Sequence, residues 1–322
     1  MLDNKQQINR IILSLSIVIV YFVISFHLAY DTKFISDTVY YRKVFYNING
    51  NPIPYGIEFI VPIMMYIIHN FGLSFEFFIF FILMLWVPLI FIATNNIYEN
   101  ISCFFIVLFF LSVYFIPNVV VIIRQYVGCL FFIYYLYYKE RKISYIFLFL
   151  AFTSHISLIM WWLCSNVYFY DRILKRKLLS ILLVITTFLI SYVIFKYLHQ
   201  HINFDMLSNI LPSVIENKIR YYQDAVNVNP PVSNLSIIMI LILTFLTINA
   251  DVKTSFDKRL TSLVFFQCVL FLLLKDNIVA ATRFGMFSFY FSIPLIIIYL
   301  NKYILFGGFK EYKDIFFIKR AR

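Results

Sequence analysis

The chain has 322 residues, of which 62% are hydrophobic and only 13% charged, with a mean hydropathy of +0.84. A soluble globular chain carries about a quarter charged residues, so this composition argues against an ordinary soluble enzyme and points to a protein dissolved in a bilayer. The net charge of +11 does not indicate nucleic acid, because the basic residues stand in short runs between apolar segments.

In chain order, apolar segments occupy 11–29, 57–70, 75–93, 101–116, 119–138, 143–165, 178–197, 235–250, 260–274 and 283–300. Helix is the reading for each, since the alternating pattern of a barrel strand is absent. The first follows Lys5 and Arg10 and runs too long for a cleaved signal peptide, so it reads as a retained helix. The expected fold is an all-α integral membrane protein, a polytopic bundle of about 8–11 transmembrane or re-entrant helices. It forms one membrane domain over 1–322. Two long connections, 31–56 and 198–234, are expected outside the cytoplasm.

The basic runs orient the chain. Lys139, Arg141 and Lys142, then Arg172, Lys175, Arg176 and Lys177, then Lys253, Lys258 and Arg259, and finally the tail 301–322, all belong on the cytoplasmic side. There they also suit anionic lipid. If every segment crossed once, the first two runs would face opposite sides. The conflict disappears if two weak segments do not cross. Segment 57–70 is short and carries Glu58, Pro62 and His69. Segment 143–165 is interrupted by Thr153, Ser154, His155 and Ser157, where a break is expected. Irregular backbone at membrane depth lines a protein-walled or watery cavity, so these two segments are expected to border one.

Cys103, Cys129, Cys164 and Cys268 lie inside apolar stretches and form no Cys-x-x-Cys pair, so neither a zinc site nor a disulfide framework is expected. His199 and His201 alone make no metal site. No Walker loop, dinucleotide fingerprint, nucleophile elbow or zincin motif is present, and no cofactor is expected. The energy for any reaction must then come from an activated substrate or a gradient.

Charges within apolar segments are costly and mark pathways or sites. Arg124 begins Arg124-Gln125-Tyr126-Val127-Gly128, with Gly128 one turn on along the same face. A guanidinium fork suits diphosphate, binding two oxygens while keeping its charge; snorkelling from a helix end is the structural alternative. Arg283 repeats the situation in Thr282-Arg283-Phe284-Gly285, with interface anchoring as its alternative. His155 offers an imidazole for proton transfer near neutral pH, or else a hydrogen bond between helices. Glu58 is either a buried partner for an arginine or a second candidate base. In the first connection Asp37, Tyr40 and Tyr41 share a face if helical, and can hold a sugar by stacking and hydrogen bonding. An aromatic belt at the membrane interface is the other reading. The second connection carries Arg220, Tyr221 and Tyr222 near Pro230-Pro231, suited to a lid over a saccharide or to a solvated loop.

This ordered set resembles the EpsG-like family of polysaccharide polymerases, related in role to Wzy-type polymerases. The residues that carry the resemblance are Asp37 to Tyr41, Glu58 opening a short segment, Arg124-Gln125 heading another, His155-Ile156-Ser157, and Arg283 with Tyr290 beyond it. The sequence departs from the family in having Phe59, and not proline, after Glu58. The resemblance implies a glycosyl transfer on the outer face of the bacterial cytoplasmic (inner) membrane. A growing glycan would pass from an undecaprenyl diphosphate carrier to the next lipid-linked repeat unit of an O-antigen, capsule or exopolysaccharide. It implies diphosphate binding by Arg124, Gln125 and Arg283, base catalysis by His155 or Glu58, and sugar contacts from Asp37, Tyr40, Tyr41, Arg220, Tyr221 and Tyr222. The partners implied are the undecaprenyl-diphosphate-linked oligosaccharide, the bilayer and a chain-length regulator, with no cofactor. Competing readings are a flippase for the same lipid-linked oligosaccharide and a membrane glycan acyltransferase. A flippase would show more spans and clearer internal halves.

Overall fold

The computed structural model describes residues 4–31, 37–89, 122–193, 232–249 and 255–276, with Ala281 and Gly285. All regular structure among them is helical. They divide between two compact units, Met1–Trp161 and Trp162–Arg322.

The first unit contains α1 (Asn4–Asp31), α2 (Asp37–Tyr46), α3 (Ile60–Asn70), α4 (Phe75–Met84), α5 (Ile123–Tyr137) and α6 (Ser144–Ser154), and α7 (Leu158–Cys164) begins in it. The junction of α3 and α4 is written in local chemistry. Gly72, at φ 71, ends α3; its N–H donates to the His69 carbonyl, and the Leu73 N–H reaches back to that of Ile68. This is the Schellman closure that a left-handed glycine permits. Two residues later Ser74 caps α4, its hydroxyl accepting from the Phe77 N–H at 3.2 Å. Phe45 of α2, fully buried, packs its ring 5.6 Å from Phe75 and 5.9 Å from Phe78 of α4. Arg42 adds an ion pair to Glu76 at 2.9 Å. Tyr21 ties α1 to this core, donating to the Leu83 carbonyl at 2.7 Å and meeting the Tyr126 hydroxyl at 3.3 Å.

The packing of α5 on α6 depends on one missing side chain. A Cβ on Gly128 would overlap Leu158 Cδ1 and stand 3.3 Å from the Ala151 carbonyl oxygen. Glycine therefore lets the two helices approach backbone to backbone.

In the second unit a helical turn, Val167–Phe169, runs into a π-helical turn, Tyr170–Leu174, followed by α8 (Lys177–Val193), α9 (Asn234–Asn249) and α10 (Ser255–Leu273). Its core gathers Tyr170, Leu174, Ile248, Phe265 and Val269. Cys164 and Cys268 are buried in this unit and Cys129 in the first, all as free thiols.

Some helices are shorter than the apolar segments that predict them, whereas α1 and α10 begin before theirs. Segment 57–70 yields a helix only from Ile60, because Gly56 at φ 62 turns the chain just before it. In segment 75–93 the first helix stops at Met84 and helix resumes over 87–89 after a two-residue turn; Pro88, lacking an N–H, cannot bond the carbonyl four residues back. Segment 143–165 breaks where its polar residues predict, with His155 extended at φ −156, ψ 121 between α6 and α7. Segment 101–116 lies outside the described residues, as does 283–300 apart from Gly285. Among the described residues no helix is long and apolar enough to cross a membrane.

The burial pattern of α8 is nevertheless the reverse of a water-facing helix. Ser180, Thr187 and Ser191 are buried, whereas Leu178, Ile181, Leu182, Ile185 and Leu189 are exposed. Small polar residues turned inward with aliphatic residues outward is the arrangement of helices packed in lipid. In α1, Ser14 and Ser25 are likewise buried while Ile11, Leu15, Ile19 and Val23 are exposed.

Candidate functional site

Arg124 is the second residue of α5. A cation in the first turn opposes the helix dipole, so its position needs another source of stabilisation. Glu58 supplies it. Arg124 Nη1 donates to Glu58 Oε2 in an ion pair whose acid is only 2% exposed. Arg124 Nε donates to the Tyr41 hydroxyl at 3.1 Å. The guanidinium carbon lies 3.9 Å from the centre of the Tyr55 ring and 5.8 Å from that of Tyr41. Such stacking is favourable for a guanidinium withdrawn from water. Among the described residues Nη2 has no hydrogen-bond partner, and the side chain keeps 21% exposure.

Glu58 is held from the other side by main chain. Its Oε1 accepts the Ile156 N–H at 3.0 Å. That N–H is available because the chain is extended at His155 and the next helix has not yet begun. The two segments that positive-inside counting sets apart, those of Glu58 and His155, thus meet at one carboxylate. Of the two readings of Glu58, the geometry shows the partner of an arginine. One of its oxygens binds Arg124 and the other Ile156.

Three tyrosines wall the site. Tyr40 and Tyr41 come from α2, which is helical as their shared-face spacing requires, and Tyr55 from the turn before Glu58. Ring centres lie 6.2 Å apart for Tyr41 and Tyr55, and 6.4 Å from Tyr40 to each. Tyr41 is buried and Tyr40 exposed. The turn is fixed by the Gly56 N–H to the Ile53 carbonyl, the Glu58 N–H to the Tyr55 carbonyl, and the Ile53 N–H to Asn51 Oδ1 at 3.2 Å. Burial raises the Tyr55 phenol well above its ordinary value, and the neighbouring Tyr41 adds to the shift. Tyr55 remains protonated, a hydrogen-bond donor, at any physiological pH.

His155 Nδ1 receives the Ser157 N–H at 3.2 Å and lies 2.7 Å from the Ser157 hydroxyl. A backbone N–H only donates, so Nδ1 is the acceptor and the neutral ring carries its proton on Nε2. A proton entering this ring therefore arrives at Nδ1, on the Ser157 side. Gln125 is buried beside Arg124 in sequence. Asp37 opens α2, but its side chain lies outside the described residues, as do Arg220, Tyr221, Tyr222 and Arg283.

Two groups in the cluster escape a reading of side-chain motifs. Tyr55 stands in Pro54-Tyr55-Gly56, and its proximity to Glu58 was the available signal. The Ile156 N–H belongs to no side chain; only the expected break around it hinted that a main-chain donor would be exposed.

Comparison with known proteins bears out the resemblance. The model of the EpsG family matches residues 14–319, nearly the whole chain. No curated protein and no solved structure matches it. The chain therefore belongs to the EpsG family, membrane-associated proteins whose function is polysaccharide-polymerase-like.

Proposed function

We propose that the chain is a multi-pass protein of the bacterial cytoplasmic membrane that joins undecaprenyl-diphosphate-linked oligosaccharide units on its outer face. In the reaction the bond from the anomeric carbon to the diphosphate oxygen breaks, with its electron pair staying on the diphosphate. The acceptor sugar hydroxyl bonds to the same carbon and gives up its proton. The catalytic need is to stabilise charge on the leaving diphosphate and to receive that proton.

The observation that carries this reading is Arg124. It is fixed by Glu58 and Tyr41, stacked on Tyr55, and left with Nη2 for an anion. Glu58 keeps the guanidinium compensated and aimed when no substrate is bound. His155 is the candidate base, taking the acceptor proton at Nδ1 by way of the Ser157 hydroxyl 2.7 Å away. Tyr40 and Tyr41, with Asp37, Arg220, Tyr221 and Tyr222, are assigned to the sugars. Arg283 and Gln125 are assigned to the diphosphate with Arg124. The inverted burial of α8 supports the membrane placement.

The test is complementation of a deletion strain. With Arg124→Ala the cells should display single repeat units and no polymer ladder. A ladder of normal length distribution would remove Arg124 from the mechanism. Loss of all surface units would point instead to a flippase, and full-length chains with altered decoration to an acyltransferase.

A further inference from the structure

The Tyr55 hydroxyl is buried, and among the described residues it has no hydrogen-bond partner. Its ring is fully used, with the Arg124 guanidinium over its face at 3.9 Å and the rings of Tyr40 and Tyr41 beside it. A phenylalanine would provide that stacking equally well. The hydroxyl is an added polar group kept dry at a cost to the fold, and buried polar groups are as a rule paired. Its burial also keeps it protonated, so what it offers is a donated hydrogen bond.

Its place defines the acceptor. The hydroxyl lies no farther from the point covered by the guanidinium than one ring radius and one C–O bond. The Arg124 guanidinium over the same ring keeps Nη2 without a hydrogen-bond partner among the described residues, so a ligand reaching Tyr55 meets both groups. Neighbouring donors, one cationic and one neutral, suit a group with several anionic oxygens close together. A lone sugar hydroxyl would use only one of them.

We infer that Tyr55 is a second substrate contact of the Arg124 site, its hydroxyl donating to an oxygen of the same diphosphate that Arg124 binds. This rests on the polymerase reading of that site and adds to it a neutral donor that shares the leaving-group charge. Arg124 supplies the charge and Tyr55 the direction, so the phosphate is held from two sides.

The experiment uses the full chain in lipid nanodiscs, with farnesyl diphosphate and the uncharged farnesol as probes. In Tyr55→Phe, which keeps the ring under Arg124, affinity for the diphosphate should fall by roughly tenfold, the loss expected for a hydrogen bond to a charged group. Affinity for farnesol should not change. Unchanged affinity for both probes would overturn the inference. So would an equal fall for both, which would mark the hydroxyl as a support of the fold. Arg124→Ala run alongside separates the two levels. If it loses diphosphate preference while Tyr55→Phe keeps it, only the Tyr55 contact fails. If Arg124→Ala also keeps that preference, the diphosphate reading of the site fails as well.

Discussion

The two units of the molecule handle charge in opposite ways. In the first, Glu58 and Arg124 form an ion pair whose acid is buried and whose base is 21% exposed, enclosed by tyrosine rings. In the second, Asp171 bridges Lys175 at 2.8 Å and Lys258 at 3.3 Å, with side-chain exposures of 39%, 57% and 22%. The more exposed cluster sits on a π-helical turn beside an apolar core and is open to screening by salt. The enclosed pair is screened much less. Each of its partners depends on the other, and that dependence keeps a charged group in place where water is scarce.

The contrast is broken most severely by removing one member of the enclosed pair. Glu58→Ala leaves Arg124 uncompensated and should destabilise the fold by about 3–5 kcal/mol, read as a lower thermal midpoint in detergent. Combining Glu58→Gln with Arg124→Gln removes both charges and should recover much of that stability, while the polymer ladder stays absent. A double variant as unstable as Glu58→Ala alone would mean that the pair does not act as a unit. Next in size is Gly128→Ala, which forces α5 away from Leu158 and the Ala151 carbonyl. Overpacking of this kind costs about 1–3 kcal/mol. Because α6 leads directly to His155 and Ile156, the variant should also shorten the ladder.

The smallest effect belongs to the more exposed cluster. The hydrogen bond from Lys175, with a further one from Lys258, holds the Asp171 carboxyl below the usual aspartate range. A folded value depressed in this way gives stability that is present at neutral pH, above the unfolded value. That stability is lost as pH falls through the folded value. Asp171→Asn should therefore melt slightly below the wild type at pH 7, and the gap should close in acid and shrink in high salt. A gap as wide as that of Glu58→Ala would erase the distinction between the two units.

Helical content, the break at His155 and the unusual setting of Arg124 were legible in the sequence, because each rests on local chemistry. Polar residues interrupt an apolar run, and a lone guanidinium stands where charge is expensive. The pairing of Arg124 with Glu58, and of Glu58 with Ile156, was not legible in the same way. These contacts join residues 66 and 98 positions apart, and no periodicity of an apolar segment encodes which neighbour it meets. Some segment bounds were misjudged for a related reason. Hydropathy does not register a left-handed Gly56 or the N–H that Pro88 lacks, yet these bear on where a helix starts and stops.

The bond from Ile156 to Glu58 is made by the main chain, and this bears on how the protein can change over evolution. Position 156 can exchange its side chain freely without releasing the carboxylate, since nineteen of the twenty amino acids offer the same N–H. Only proline withholds it. The anchor of the carboxylate, and with it of Arg124, is thus insulated from most point mutations at this position.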